Sequence, residues 1–576
     1  MDNKQIAEVF EEIGNILDIM DVGFFRVNAY RKGAITVLNL PNELREVVKN
    51  NPKDISKIPG IGKALSEKII ELVETGKCKE LEKLRKNIPE GLLEILKLRG
   101  LGPKKVKLLY SQLAIKNIKE LKAAAENKMI RTLDGMGEKS EEDILKAIEE
   151  FKDFSSDRHL IHEADMEAKA YIEYMKKLPF IEKIQHAGSL RRFQETIGDI
   201  DILVTVIDPK KHHEEIMQHF VKYKEVVKII AKGGTKSTVL ISSGLDVDLR
   251  VVESKSFGAA LHYFTGSKLH NIRVRDLAKK KGLKVSEYGV FSGNKMVAGE
   301  TEDEIFKMVG LPFIPPELRR DDGEIEYGVK HKKMPKLVEL KDIRGDLHSH
   351  STFSDGKRSI EEMANEYIKL GYEYFAVTDH SPAMGITGGV QVKDFAKQWH
   401  EIDKLNKKLD GKIKILKGSE VDVLKDGSLD YPDEVLKKLD VVIISAHLHG
   451  RLSYEEQTKR LIRAIENPHS MILGHPTGRL LNKRSPMEFD MQKIISACVE
   501  NKVSIEINSN PMRLDLPDVY VKMARDKGAK FVISTDSHDI DQPKFIQFGV
   551  GVARRGWLEK GDILNTNSLK AFDSYF

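Results

Sequence analysis

From about residue 341 to the end of the chain, short apolar runs recur: YFAVTDH, IKILKGSEVDV, VVIISAH, SMILGH, VSIEIN and KFVISTDSH. Amphipathic stretches separate them, a pattern that predicts repeated βα units and hence a parallel sheet or barrel. Four of these six runs end in His, and a fifth carries Glu420 and Asp422 near its end. In a parallel βα architecture the C-terminal strand ends form one face, so these polar termini are expected to converge there. Nine of the 18 histidines of the chain fall within 340–576.

The residues at those ends are His348, His350, Asp355, His380, Glu420, His447, His475, Asp536 and His538. Asp346-Leu347-His348-Ser349-His350 opens the region, and two histidines at i and i+2 on a strand end point to one side. Nine imidazoles and carboxylates exceed the needs of one four- to six-coordinate ion, so two or three ions are expected, with Glu420 or His380 bridging. Such a cluster makes hydroxide near neutral pH and clamps a phosphate ester. A lone histidine is usually a satisfied polar residue; six at strand ends are not. His400 and His469 sit in helical or loop contexts and are expected to be idle, whereas His449 is ambiguous.

At 576 residues the chain has room for three to five domains of roughly 100–200 residues each. No apolar run approaches the roughly 20 residues of a membrane span, and MDNKQIAEVFEEIG lacks a signal-peptide core. With Cys78 and Cys498 as the sole cysteines, a disulfide framework and a Cys-based zinc cluster are excluded, and the cytoplasm is the expected compartment. The formal charge of +5 excludes a uniformly basic coat. Any nucleic-acid contact must come from helix N-termini, glycine turns and short Lys/Arg clusters.

Residues 1–150 read as helical and repeat one pattern: Ile58-Pro59-Gly60-Ile61-Gly62, Leu98-Arg99-Gly100-Leu101-Gly102 and Leu133-Asp134-Gly135-Met136-Gly137. Each reads as a helix–hairpin–helix, its glycines giving a left-handed turn and opening the next helix toward a phosphate. A single instance would pass for an ordinary connection; three reverse that preference. Gly60, Gly62, Gly100 and Gly102 are the expected DNA-contacting glycines. The third copy is the poorest, because Glu138, Glu141 and Glu142 follow it and repel phosphate.

Between 155 and 320 short β-rich runs alternate with helices, IDILVTVI and VLISSGLDVDLRVV being the clearest strands. Strand alternation puts Asp199 and Asp201 on one face about 7 Å apart. Two carboxylates so placed repel unless a hard cation such as Mg²⁺ or Mn²⁺ lies between them. Asp246 and Asp248 offer the same arrangement on a second strand. Together they would set carboxylates around two metals for in-line attack on a triphosphate. The alternative, an acidic strand edge facing solvent, is disfavoured by Gly188-Ser189-Leu190-Arg191-Arg192 just upstream, where a phosphate cradle belongs.

Gly188–Arg192, the Gly198-Asp199-Ile200-Asp201 segment and Tyr263-Phe264-Thr265-Gly266-Ser267 resemble the palm of family X DNA polymerases, over about residues 1–320. The resemblance implies that Asp199 and Asp201 bind both metals and that Asp248 is the third carboxylate, activating the primer 3′-hydroxyl; Asp246 falls outside it. Gly188, Ser189, Arg192 and Gly198 match triphosphate contacts. Tyr263, Phe264 and Gly266 match the segment that packs on the incoming sugar, and Asn271 and Arg275 match positions facing base and template. The resemblance further implies a small lyase domain with Lys68 as Schiff-base nucleophile and Tyr30 nearby, although Phe25, Ala64 and Glu80 stand where basic residues are expected.

The C-terminal constellation resembles the PHP (polymerase and histidinol phosphatase) family, over about 340–576. That implies a distorted (β/α)₇ barrel with a trinuclear Mn²⁺, Zn²⁺ or Fe site, in which Asp379 orients a ligand. Arg451, Arg479 and Arg513 follow motif segments and are read as phosphate contacts or solvated arginines. The expected fold is multidomain α+β: helical domains at 1–90 and 91–150, a mixed-sheet nucleotidyltransferase palm at 151–260, a thumb-like domain at 261–320, a linker at 321–340 and the barrel at 341–576. The combination resembles prokaryotic family X polymerases. It implies gap filling in base excision repair on gapped or nicked double-stranded DNA with dNTPs, by a monomer. The barrel would act as a 3′–5′ exonuclease, a 3′-end-cleaning phosphoesterase or an abasic-site endonuclease. The competing readings are a nucleotidyltransferase fused to a small-molecule phosphatase, and a barrel whose metals are only structural.

Overall fold

A computed structural model of the chain describes every residue except 2, 39, 41, 42, 90, 97, 99, 151–157 and 576. Arg99 of the second hairpin and the expected 150/151 domain boundary therefore lie outside the described residues. The chain forms two units, Met1–Asp157 and Arg158–Phe576.

The first unit is helical. Ile6, Phe10, Ile13 and Leu17 recur every three or four residues on Asn3–Ile19 and are fully buried, which is how an amphipathic helix seeds a core. In all three hairpins the first glycine takes a left-handed φ, +89° at Gly60, +78° at Gly100 and +73° at Gly135, a conformation that a side chain would strain. The second glycine caps the next helix, Gly62 before Lys63–Thr75 and Gly102 before Pro103–Leu113. In the third hairpin Glu138 and Glu141 pair with Arg131, while Glu142 is exposed. Buried Glu141 accepts from the Arg131 backbone N–H at 3.0 Å and from its Nε at 2.7 Å, while Arg131 Nη1 pairs with Glu138 at 2.8 Å.

The second unit holds a five-stranded mixed sheet, a three-stranded antiparallel sheet and a seven-stranded parallel sheet. In the mixed sheet, Ile181–His186, Asp199–Val206, Asp246–Val251, Lys236–Ile241 and Val226–Lys232 lie side by side in that order. Asp199–Val206 runs parallel to Asp246–Val251, with Asp199 opposite Asp246 and Asp201 opposite Asp248. The run VLISSGLDVDLRVV, expected as one strand, is a hairpin: Ser242–Leu245 turn the chain, with Gly244 at φ +87°, and pair Lys236–Ile241 with Asp246–Val251. The turn folds the second carboxylate strand back beside the first.

The stretch 321–340, expected as a linker, contains the helix Glu324–His331. Glu324 is fully buried, accepting from His270 Nδ1 or sharing its proton at 2.8 Å. The parallel sheet runs in chain order from Gly345–Asp346 to Phe531–Ser534. Its two edges meet beyond the strand ends, where Ser349 bridges Ser537 and the His350 N–H donates to the Ser537 carbonyl at 2.8 Å. The barrel is thus closed at the end where the polar strand termini lie, in keeping with the distorted (β/α)₇ expectation.

Candidate active sites

In the mixed sheet, Asp201 is the carboxylate under most strain. Burial, then the neighbouring Asp199 and Asp248, push it up to about 7. Gly188 lies against it: a Cβ there would sit 2.7 Å from Asp201 Oδ2, so the glycine is what allows the approach. Asp248 accepts from Thr238 Oγ1 at 2.5 Å and pairs with Lys236 Nζ at 2.7 Å. Among the described residues, the groups whose ligand atoms all lie within 4.8 Å of one another are in the barrel, so this trio is the looser set. Mutually repelling, partly desolvated carboxylates fit a hard divalent cation.

The sign of the Asp201 shift has a measurable consequence. Below pH 7 the metal-free site holds a proton there, and cation binding must displace it. Apparent Mg²⁺ affinity in a titration is expected to fall about tenfold per pH unit below 7 and to level off above it. A profile that stays flat as pH falls through 7 would count against Asp201 as a ligand.

The other expected nucleotide-site residues lie on or beside this sheet and the helices Gly188–Arg191, Phe257–Thr265 and Lys268–Lys280, several of them joined to one another. Gly188 and Ser189 open the short helix Gly188–Arg191, and Gly198 directly precedes the carboxylate strand. Arg192 donates to the Thr265 carbonyl, and Gly266 follows with φ +69°. Tyr263 and Phe264 lie in the last turn of the helix Phe257–Thr265, with the Arg250 guanidinium 4.0 Å from the Phe264 ring centre. Asn271 Nδ2 donates to the Tyr263 carbonyl at 2.7 Å, and Arg275 Nε to the Asn271 carbonyl at 3.3 Å.

In the first unit, Lys68 is half-exposed on Lys63–Thr75. Tyr30 is buried, and burial with Glu80 nearby pushes its hydroxyl up to about 12. Glu80 pairs with Arg26, so an ion pair occupies the place where a basic pocket was expected.

The barrel site is far denser. Eight of the nine expected ligands fall into three overlapping groups: His350, Asp355, His380 and His538; His348, His350 and Asp536; His380, Glu420 and His447. The ninth, His475, joins through Nε2, 2.8 Å from Glu420 Oε1. Glu420 is the hub. Its Oε2 lies 3.3 Å from His348 Nε2, 3.6 Å from His350 Nε2 and 3.0 Å from His380 Nδ1, and its Oε1 lies 3.2 Å from His447 Nε2.

Several buried ligand atoms make no hydrogen bond despite these short approaches: His348 Nε2, His350 Nδ1, His380 Nδ1 and Glu420 Oε2. Each such atom costs about 1–3 kcal/mol if left unsatisfied. Converging lone pairs of this kind are what cations satisfy. Without cations, protons balance the charge. Burial would depress His447, but Glu420 and Asp422 prevail and carry it up to about 10. Likewise Asp355 and Asp536 overcome burial and carry His538 up to about 9, whereas burial, with His538 and His380 alongside, drives His350 down to about 3.

Behind the ligands stands a shell that the sequence reading missed. Glu506 Oε1 lies 2.7 Å from His348 Nδ1, and its Oε2 accepts from the His475 backbone N–H at 2.5 Å. Asp422 Oδ1 lies 3.1 Å from His447 Nδ1. The available signal was an acid in the interior of an apolar strand, SIEIN, for Glu506, and an acid ending the strand Lys414–Asp422 for Asp422. Asp379 accepts from Ser351, Ser354 and Gln398, an arrangement that fixes the loop following His350. Glu506→Gln is expected to weaken metal retention by about 10–100-fold, the usual cost of losing such a partner. Metal content after graded dialysis measures it, and wild-type retention would remove Glu506 from the site.

His400, His449 and His469 lie outside the ligand groups. Arg451 is exposed. Arg513 Nε lies 3.5 Å from Asp536 Oδ2, at the edge of the cluster. Arg479, read as a phosphate contact or a solvated arginine, is neither. It is buried, with Nη2 2.6 Å and Nη1 3.2 Å from the Glu195 carboxylate.

Comparison with known proteins bears on the same segments. Family models match for a helix-hairpin-helix domain at 1–78, a SAM-like helix-hairpin-helix tandem at 92–150, a DNA polymerase beta thumb at 260–320 and a PHP domain at 346–510. The DNA polymerase/3′-5′ exonuclease PolX of Bacillus subtilis (strain 168) is 38% identical over 579 residues, covering 100% of this chain and 99% of that protein. The chain belongs to the family X DNA polymerases that carry a PHP domain. Within this family X chain the barrel has relatives of its own. A probable phosphatase of Thermoanaerobacter sp. (strain X514) is 31% identical over 235 residues, 38% of this chain and 90% of that protein. A probable phosphatase of Acetivibrio thermocellus is 32% identical over 246 residues, 40% of this chain and 93% of that protein.

Proposed function

We propose that the chain fills short gaps in double-stranded DNA and that its barrel cleans 3′ ends, by 3′–5′ exonuclease or 3′-phosphoesterase action, in base excision repair. The carrying observation is that one chain, similar over its whole length to a DNA polymerase/3′-5′ exonuclease, contains both a carboxylate trio beside a glycine cradle and a His-rich cluster around Glu420. Metal-dependent polymerisation needs a clean 3′-hydroxyl, and the second site is chemically equipped to make one.

In this reading Asp199, Asp201 and Asp248 hold Mg²⁺ or Mn²⁺, and the nine barrel residues hold two or three Mn²⁺, Zn²⁺ or Fe ions. When bound, these cations neutralise phosphate charge and lower the pKa of the attacking hydroxyl or water. The protein's own residues do the rest. Ser189 and Arg192 orient the triphosphate, and Gly188 and Gly198 allow its close approach. Asp248, steered by Thr238 and Lys236, takes the proton of the primer 3′-hydroxyl. Tyr263, Phe264 and Gly266 pack against the incoming sugar, while Asn271 and Arg275 face base and template. In the barrel, Glu506 and Asp422 hold imidazoles in one orientation, and Arg513 at the rim receives the substrate phosphate. The hairpin glycines Gly60, Gly62, Gly100 and Gly102 grip the DNA backbone, and Lys68 is the nucleophile of a lyase step. No helix among the described residues is long and apolar enough to cross a membrane. A monomer working in the cytoplasm on nucleoid DNA completes the proposal.

A gapped duplex ending in a 3′-hydroxyl or a 3′-phosphate, supplied with dNTPs and Mg²⁺ or Mn²⁺, tests it. The hydroxyl substrate should be extended at once, and the phosphate substrate only after metal-dependent removal of its end. No extension of the hydroxyl substrate would refute the polymerase reading. Hydrolysis of histidinol phosphate with DNA ends untouched would instead favour the metabolite phosphatase.

A further inference from the structure

The phosphate-cradle loop of the palm does not stand on the palm alone. Four contacts tie residues 192–195 to the barrel. Arg555 Nη1 donates to the Arg192 carbonyl at 3.1 Å. Phe193, held at φ +51°, lays its ring on Gly551 of the helix Ile546–Arg555, where an added Cβ would lie 2.2 Å from Phe193 Cδ1. Glu195 takes both Nη atoms of Arg479, at 2.6 and 3.2 Å. Both arginines are fixed from behind: Arg479 Nε donates to the Arg513 carbonyl at 2.9 Å, and Arg555 Nη2 meets Asp518 Oδ2 at 2.5 Å. The loop also answers to its own cradle, since the Gln194 N–H donates to the Ser189 carbonyl at 3.1 Å.

We infer that Glu195, Phe193 and their barrel partners Arg479, Gly551 and Arg555 are positioning residues for the triphosphate, so that the PHP barrel forms part of the nucleotide-binding apparatus of the polymerase. The physical reason is rigidity. A loop of consecutive residues that must present Ser189 and Arg192 to a triphosphate is mobile unless its far side is anchored, and misplacement by about 1 Å can cost up to 10²-fold. A bidentate Arg–carboxylate pair, two backbone-directed guanidinium contacts and a ring seated on a glycine give that anchor directionality as well as energy. Arg479 also lies four residues beyond His475, and Asp515 fastens the intervening loop by accepting from the Thr477 and Gly478 N–H groups at 3.0 and 2.8 Å. The strut that reaches the cradle therefore begins in a segment that serves the second site.

The inference rests on the polymerase reading of the palm, and the test separates the two. Steady-state single-nucleotide gap filling is measured for the full chain and for Glu195→Gln, Arg479→Gln, the double variant and Gly551→Ala. KM for dNTP is expected to rise on the order of tenfold in each, with kcat changed less than about twofold. The double variant should be no worse than either single one, because both remove the same strut. Glu195→Gln should retain metal-dependent hydrolysis of a 3′-terminal nucleotide. A role confined to folding would instead lower the melting temperature and the active fraction, reducing kcat at constant KM, and that outcome would overturn the inference. So would a KM within about twofold of wild type in all four variants. Failure of the wild-type chain to extend primers at all would refute the polymerase reading itself.

Discussion

Replacing Asp199 and Asp201 together with alanine is expected to abolish nucleotide incorporation, by on the order of 10⁴-fold, the scale found when members of a unit that acts together are removed. Hydrolysis at the barrel should stay within about twofold of wild type, since the two ligand sets share no residue and independent sites add. The thermodynamics of Asp201 make the result readable. Its folded pKa is raised to about 7 by burial and by Asp199 and Asp248. A carboxylate raised in this way contributes stability below its unfolded value of roughly 3.9 and loses that contribution as pH climbs toward 7. Above pH 7, with cation chelated, the wild-type chain therefore carries like charges at close quarters that the variant lacks. The double variant should melt no lower than wild type in EDTA at pH 8, so loss of incorporation cannot be ascribed to unfolding. Primer extension by the variant would remove both aspartates from the mechanism.

What the sequence made legible and what it concealed divide along a physical line. Residues that act through local pattern were readable. Alternation places Asp199 and Asp201 on one strand face, and polar residues ending successive βα strands must meet on one side of a parallel barrel. The hairpin glycines could be read because a left-handed turn leaves few alternatives, and Gly60, Gly100 and Gly135 all adopt it. Residues whose role depends on a distant partner were not readable. Glu506 reads as an acid within an apolar strand until the fold brings it to His348, 158 positions away. Arg479 sits beside a ligand motif and so reads as a phosphate contact, whereas its partner Glu195 is 284 positions upstream. Lys236 and Thr238 were hidden by the turn at Ser242–Leu245, because an unbroken strand would have carried them away from Asp248 rather than beside it. Local periodicity encodes which face a residue occupies; tertiary register decides what it meets there.

At the second site, His348→Ala with His350→Ala should strip the barrel of metal and abolish hydrolysis of 3′ ends, again by on the order of 10³–10⁴-fold, while gap filling continues. Barrel closure should survive, since the contacts that close it, His350 N–H to the Ser537 carbonyl and the Ser349–Ser537 bridge, are made by the backbone. The imidazole of His348 is another matter. Removing it leaves Glu506 Oε1 without a 2.7 Å partner inside the barrel, and an uncompensated buried charge is costly. Some loss of melting temperature is therefore expected from the alanine pair, and a second variant is needed to separate chemistry from folding. Glu420→Gln serves, because it preserves volume and removes the charge that faces His348, His380, His447 and His475. The cradle loop is anchored through Arg479, Gly551 and Arg555, none of which touches Glu420 by hydrogen bond or ion pair among the described residues. The glutamine variant should accordingly lose metal and hydrolysis while its KM for dNTP stays at the wild-type value. Retention of full metal content would show that the hub carboxylate is dispensable, and the cluster would then have to be centred elsewhere.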